Sequence, residues 1–173
     1  MSAHVGIREL AGLAARAIAV ELVLFEAFGR WVATTSEASV KPALAAASRR
    51  HAWHAGLWRE RFPVIPGADL DAAVAEARSD IGPLVEALAM FDALPSGAAR
   101  LAVVDHAAAE LAREYRSARA AIEPRLDAPT ARVLALVLAD LGPPQLTVGP
   151  ATDHERLALE ALQSAGFPTL GVS

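Results

Sequence analysis

Apolar residues recur at the spacing of one helix face along the start of this chain. From about Ile7 to about Thr34 they form the stripe Leu10, Ala14, Ala17, Glu21, Leu24, Phe28, Trp31, which predicts one long amphipathic helix. Glu21 falls in the middle of that otherwise apolar row. A carboxylate there is unfavourable unless it is paired, hydrogen-bonded or bound to a cation. Glu26 lies off the stripe and reads as solvated. A second stripe, Val40, Leu44, Ala47, His51, His54, Trp58, predicts a helix that starts near Val40, tolerates Pro42 in its first turn and stops at Pro63. The connection between the two is short and polar, so the helices should be antiparallel neighbours, with Glu21 drawn toward His51 and His54.

The middle of the chain is more broken. Asp69 or Asp71 can cap a helix over about Leu70 to Ser79. Gly82-Pro83 interrupts the pattern, which resumes from Leu84 to Leu94. This section reads as a broken or kinked connecting helix rather than one of the main four. A long helix follows from about Ala98 to Glu123, with the stripe Leu101, Val104, Ala108, Leu111, Tyr115, Ala118, Ile122, and an adjacent row carries His106 and Glu110 four apart. Pro129 opens the next helix, whose segment from Arg132 to Leu141 is apolar enough to predict burial nearly all round. Asp140 stands near its end, before Gly142-Pro143-Pro144. Thr152 and Glu155 form a candidate capping box for a last helix to about Ala165, and the tail from Gly166 reads as mobile. The pattern is all-α. It predicts a single domain over residues 1–173, with a core at about 7–142 and a C-terminal helix at about 152–165.

Composition narrows the chemistry more than the fold. The chain has 173 residues, enough for one full core, and no cysteine. Disulfides, thiolate zinc sites and iron–sulfur clusters are therefore excluded, and any metal would take nitrogen and oxygen ligands. The net charge of −4 gives no basic field for nucleic acid. Arg49, Arg50, Arg59 and Arg61 read as a solvated face of the second helix. Arg16, Glu21 and Glu26 interrupt the most apolar run, which argues against a membrane span. Met1 to Glu9 lacks a basic segment followed by an apolar one, so the expectation is a cytoplasmic protein without nucleic-acid or membrane partners.

Spacing links the two long helix pairs. Glu21 is followed 30 positions later by His51 and 33 later by His54, and Glu110 is followed at the same offsets by Asp140 and Pro143. With Glu21, His54, Glu110 and Asp140 so placed, residues 7–142 resemble the ferritin-like superfamily of four-helix bundles. That superfamily holds two metal ions with a Glu from each of two helices and a Glu-x-x-His from each of the other two. The runs His51 to Pro63 and Arg113 to Leu141 look more specifically like an actinobacterial-type group of ferritin-like proteins. The resemblance implies an antiparallel four-helix bundle with a kinked connecting helix and a short C-terminal helix. It matches Glu21 and Glu110 to the single carboxylates and His54 to the first motif's His. His51 stands where that motif has Glu, Asp140 stands in for the second Glu, and Pro143 occupies the second His position.

A di-metal centre of this kind uses about four carboxylates, and the chain offers Glu21, Glu110 and Asp140. The first expectation is therefore a binding or interaction protein on a ferritin-like bundle without an intact di-iron site and without a cofactor, able to dimerise through apolar helix faces. The alternative is a metal-dependent oxidase or hydroxylase. Its site would be Glu21, His51, His54, His106, Glu110 and Asp140 around iron or another divalent transition metal, in a mononuclear or di-metal arrangement. A third expectation is a small-ligand pocket lined by Phe28, Trp31, Trp53 and Trp58.

Overall fold

The computed structural model describes residues 5–93, 96–142 and 152–170. Among these there are seven helices and no strand: α1 (Ile7–Thr34), α2 (Lys41–Arg61), α3 (Leu70–Asp80), α4 (Gly82–Met90), α5 (Gly97–Ala121), α6 (Ala128–Leu141) and α7 (Asp153–Ala165). The all-α expectation is met. No helix among the described residues is long and apolar enough to cross a membrane.

Local chemistry sets the helix starts. Asp69 accepts from the backbone N–H groups of Asp71 and Ala72, Ser96 from Ala99, and Asp127 from Thr130. Thr152 and Glu155 form a full capping box at α7. Each supplies an acceptor for N–H groups that the first turn leaves free. Gly142 and Gly166 end α6 and α7 at φ of 64° and 67°, a backbone that glycine adopts without a Cβ penalty. The middle section is two helices that part at Ile81, immediately before Gly82-Pro83.

Helix α1 is the centre of the molecule. Leu13 to Ala15, Ala17 to Glu21, Val23, Leu24, Ala27, Phe28 and Trp31 are all buried, which covers most of its circumference. Small alanines let neighbours approach it closely. Helix α2 runs antiparallel to it, for the Ser48 hydroxyl donates to the Phe25 carbonyl at 3.0 Å while His51 meets Glu21 farther along. Helix α5 is also antiparallel to α1: Arg100 reaches Thr35, and Tyr115 reaches Glu21. Helix α6 runs back along α2, tied by Arg61 to Asp127 at one end and by His54 to Asp140 at the other. Helix α3 packs on α1, and α4 on α7.

Three expectations need correction. The α6 segment is buried on one side only: Leu134, Val137 and Leu141 are inside, but Leu136 is 37% exposed, because α6 covers α2 and α5 from outside. The tail after α7 is held down. Leu170 is fully buried, its N–H donates to the buried Glu114 carboxylate at 3.1 Å, and Phe167 packs against His106. Several polar residues expected to face only solvent are paired. Glu26 accepts a two-pronged bond from both terminal nitrogens of Arg78, Arg61 donates from Nη2 to both Asp127 oxygens, and Arg59 meets Asp71.

Far from the α1–α2 centre, Arg100 clamps the start of α5. It is 1% exposed and donates to the carbonyls of Phe91, Asp92 and Trp31 and to the Thr35 hydroxyl, with its guanidinium 5.7 Å from the Trp31 ring centre. Asp92 in turn accepts from the Trp31 indole at 2.7 Å. One guanidinium thus satisfies several acceptors at once. Arg100→Met should lower unfolding free energy in urea by about 3 kcal/mol, since each stranded buried acceptor is worth about 1–3 kcal/mol. A loss below about 0.5 kcal/mol, the range of ordinary surface substitutions, would show that the clamp does not contribute.

Candidate metal centre

Three helices meet at one carboxylate, and a fourth reaches it through a histidine. Midway along α1, Glu21 has no exposed surface, and neither His51 nor His54 of α2 has more than 1% side-chain exposure. The i, i+3 spacing puts both imidazoles on the α2 face that lies on α1. His51 Nδ1 is 2.5 Å from Glu21 Oε2, and His54 Nδ1 is 3.2 Å from Oε1. Tyr115, fully buried on α5, donates its hydroxyl to Oε1 at 2.5 Å. On the far side of His54, Nε2 lies 3.0 Å from Asp140 Oδ2, whose side chain is 41% exposed and is 3.7 Å from Arg50 Nε.

The geometry limits the proton arrangements open to His54. A neutral imidazole has one N–H and one lone pair. His54 faces carboxylate oxygens from both nitrogens, so one neutral ring cannot donate in both directions. With both carboxylates ionised, either it carries two protons, or a cation sits on the Nδ1 side while Nε2–H donates to Asp140. His51 needs only its Nδ1 proton to meet Glu21, and its Nε2 is buried without a hydrogen-bond partner. Burial by itself would raise the Glu21 pKa. The attraction of His51, the hydrogen bonds from His51 and His54, and the charge of His54 outweigh it and hold the group at about 2. Burial and the Glu21 charge push the Tyr115 phenol well above its ordinary value, so it remains a donor.

Among the described residues, Glu21, His51 and His54 are a group with ligand atoms all within 4.8 Å of one another, close enough for one ion. Imidazole plus carboxylate suits divalent iron, zinc, manganese, copper or nickel. Asp140 touches the outer nitrogen of His54 rather than the centre. His106 and Glu110 lie elsewhere. His106 is half-buried edge-on to Phe167, with its pKa lowered by burial, and Glu110 is bonded to Arg113 at 2.7 Å. Pro143 falls outside the described residues. The donor set therefore does not fit two dications, which need more bridging carboxylate than one Glu supplies.

The four aromatic residues expected to line a pocket lie in different settings. Phe28 lies edge-on to His51 at 5.3 Å and close to Trp31, which faces Phe91. Trp58 stacks on Tyr115 across the cluster at 5.8 Å. Trp53 is 46% exposed and covers His54 from outside. A cavity of about 280 Å³ lies away from all four, between Arg16, Ile81, Leu84 and the Gly166–Thr169 turn. Sequence reasoning placed Tyr115 in an apolar core stripe and no further. The available signal was its hydroxyl, which needs a partner when buried.

Comparison of the chain with protein-family models, with curated proteins and with solved structures finds no match to any of them.

The low Glu21 pKa couples acid to unfolding. Its folded value of about 2 lies below the ordinary carboxylate value of 4.5, so the stabilisation is complete above the ordinary value and is lost as pH falls toward 2. At 1.36 kcal/mol per unit the loss is about 3 kcal/mol. Glu21→Gln should flatten the stability profile over that window and destabilise the protein near pH 7 by about 3 kcal/mol or more, because it leaves the histidines without their counter-charge. Urea unfolding across pH measures both. An unchanged acid slope in the variant would place the acid sensitivity on other carboxylates.

Proposed function

We propose that this chain is a ferritin-like helical bundle that binds a single divalent transition-metal ion at Glu21, His51 and His54, in place of the two ions of an intact di-iron site. The observation that carries the reading is His54, which is held between two carboxylates and so calls for a second proton or a metal ion on its Nδ1 side. The course of the four long helices supports the ferritin-like part. Helix α2 is antiparallel to α1, α5 is antiparallel to α1, and α6 is antiparallel to α2. That order has two hairpins joined by a long crossover, here α3 and α4.

On this reading the protein is a metal-binding protein first. A second reading, a metal-dependent oxidase or hydroxylase, draws on the open coordination that two imidazoles and one carboxylate leave. A bound ion would supply Lewis acidity toward water, or a one-electron couple in the case of iron. The chain's own residues would then orient and shield the site. Tyr115 fixes one Glu21 oxygen, while Phe28 and Trp58 keep bulk water from the cluster.

Purified protein from iron- and manganese-supplemented medium should carry close to one ion per chain by elemental analysis. His54→Ala should lose it, together with the thermal stabilisation that added metal gives the parent chain. Two ions per chain, or no ion at any supplemented level, would overturn the single-ion reading.

A further inference from the structure

Asp140 sits where a carboxylate needs a reason. It is the next-to-last residue of α6, at the negative end of the helix dipole, where an acidic side chain is disfavoured. Its carboxylate is the outermost member of a line that runs inward: Arg50 at 3.7 Å, then the outer nitrogen of His54 at 3.0 Å, and through that ring to Glu21. His54 is fully buried, whereas the Asp140 and Arg50 side chains are 41% and 28% exposed. This α2–α6 seam is one place where the cluster comes close to water.

We propose that Asp140 is not a ligand but the positioning carboxylate of the centre: it takes the Nε2–H of His54, fixes the tautomer and ring angle, and so aims Nδ1 at the ion. The inference rests on the single-ion reading above. An imidazole free to turn about its Cβ–Cγ bond presents either nitrogen, and in water the Nε2–H form is only one of two neutral tautomers. A carboxylate on Nε2 selects the form whose lone pair is at Nδ1 and makes that lone pair more basic. Arg50, at 3.7 Å, helps hold the Asp140 carboxylate in place. Helix α6 then contributes in two ways. Its apolar face docks on α2 and α5, and its last turn sets one ligand on α2.

The proposal is tested by titrating the full chain with Co²⁺, read by its visible ligand-field bands and by competition with a chelator of known affinity. Asp140→Ala should weaken binding ten- to a hundred-fold, the usual effect of losing an outer partner of a ligating His. The shape of the Co²⁺ bands should remain that of the parent chain, since no ligand is lost. Asp140→Asn, whose amide oxygen still accepts from Nε2, should recover most of the affinity, whereas Asp140→Leu, which offers no acceptor, should lose it as alanine does and serves if the alanine variant folds poorly. Unchanged affinity in the alanine and leucine variants overturns the proposal, as does a change of band shape, which would make Asp140 a ligand. A parent chain that binds no Co²⁺ sinks the single-ion reading itself and this inference with it. Binding by the parent with no loss in the variants sinks this inference alone.

Discussion

A carboxylate with no access to water, on the helix that every large element surrounds, sets the terms for the rest of this structure. Ionised Glu21 is tolerable only because both its oxygens are filled by side chains from two other helices. Each partner has its own demand. His54 presents a second nitrogen that must also be satisfied, which brings in Asp140 from α6 and, behind it, Arg50. Tyr115 must reach inward from α5, and Trp58 stacks on its ring. One buried charge therefore specifies the relative placement of α1, α2, α5 and α6. Apolar packing among alanines alone would be far less selective, because small side chains of similar shape allow neighbouring registers. Buried polar partners with fixed hydrogen-bond geometry narrow that choice.

The ends of the bundle are held by separate devices, so the centre is not asked to hold everything. Arg100 joins the last turn of α1 to the α4–α5 turn through backbone carbonyls. Glu37, on the loop after α1, accepts from the Gly97 N–H at 3.0 Å, and a Cβ on Gly97 would meet the Val40 side chain at 2.8 Å. Only glycine lets the start of α5 come so close to the α1–α2 connection. At the opposite end Arg61 bonds Asp127 and Thr130 in the first turn of α6. Asp127 thereby caps α6 and receives a guanidinium with the same carboxylate, which holds its pKa down despite its burial.

The main elements were legible from periodicity because their apolar rows are long and have the helical period. The rows read for α1 and α2 are, but for Leu10 and Val40 at their ends, the ones found buried. The meeting of Glu21 with His51 and His54 followed from one short loop. Other features were hidden for a physical reason: they depend on which helix is outermost. Leu136 is exposed because α6 is peripheral, and α1 is buried nearly all round because it is central, yet the two sequences do not differ enough in hydropathy to say so. Partner choice is equally silent. Glu110 sits three residues before Arg113 and is captured locally, while His106 finds the ring of Phe167 from a tail that read as mobile. Spacing alone could not tell these from ligands.

Charge counting favours one ion over two at this site. Counted as ions, the Glu21 and Asp140 carboxylates face Arg50 and the cation that His54 calls for, a second proton or a metal ion. A dication in that place leaves a single surplus positive charge. One anionic water-derived ligand or a partner anion can cancel it without moving any helix. A second dication would raise the surplus to three in a site lined by Phe28, Trp58 and Tyr115, where unbalanced charge is very unfavourable. The acidic groups that could have offset it are committed elsewhere, Glu110 to Arg113 and Glu114 to Arg113 and the Leu170 N–H. The same commitments that pin down the C-terminal tail thus leave those carboxylates unavailable to offset a second cation.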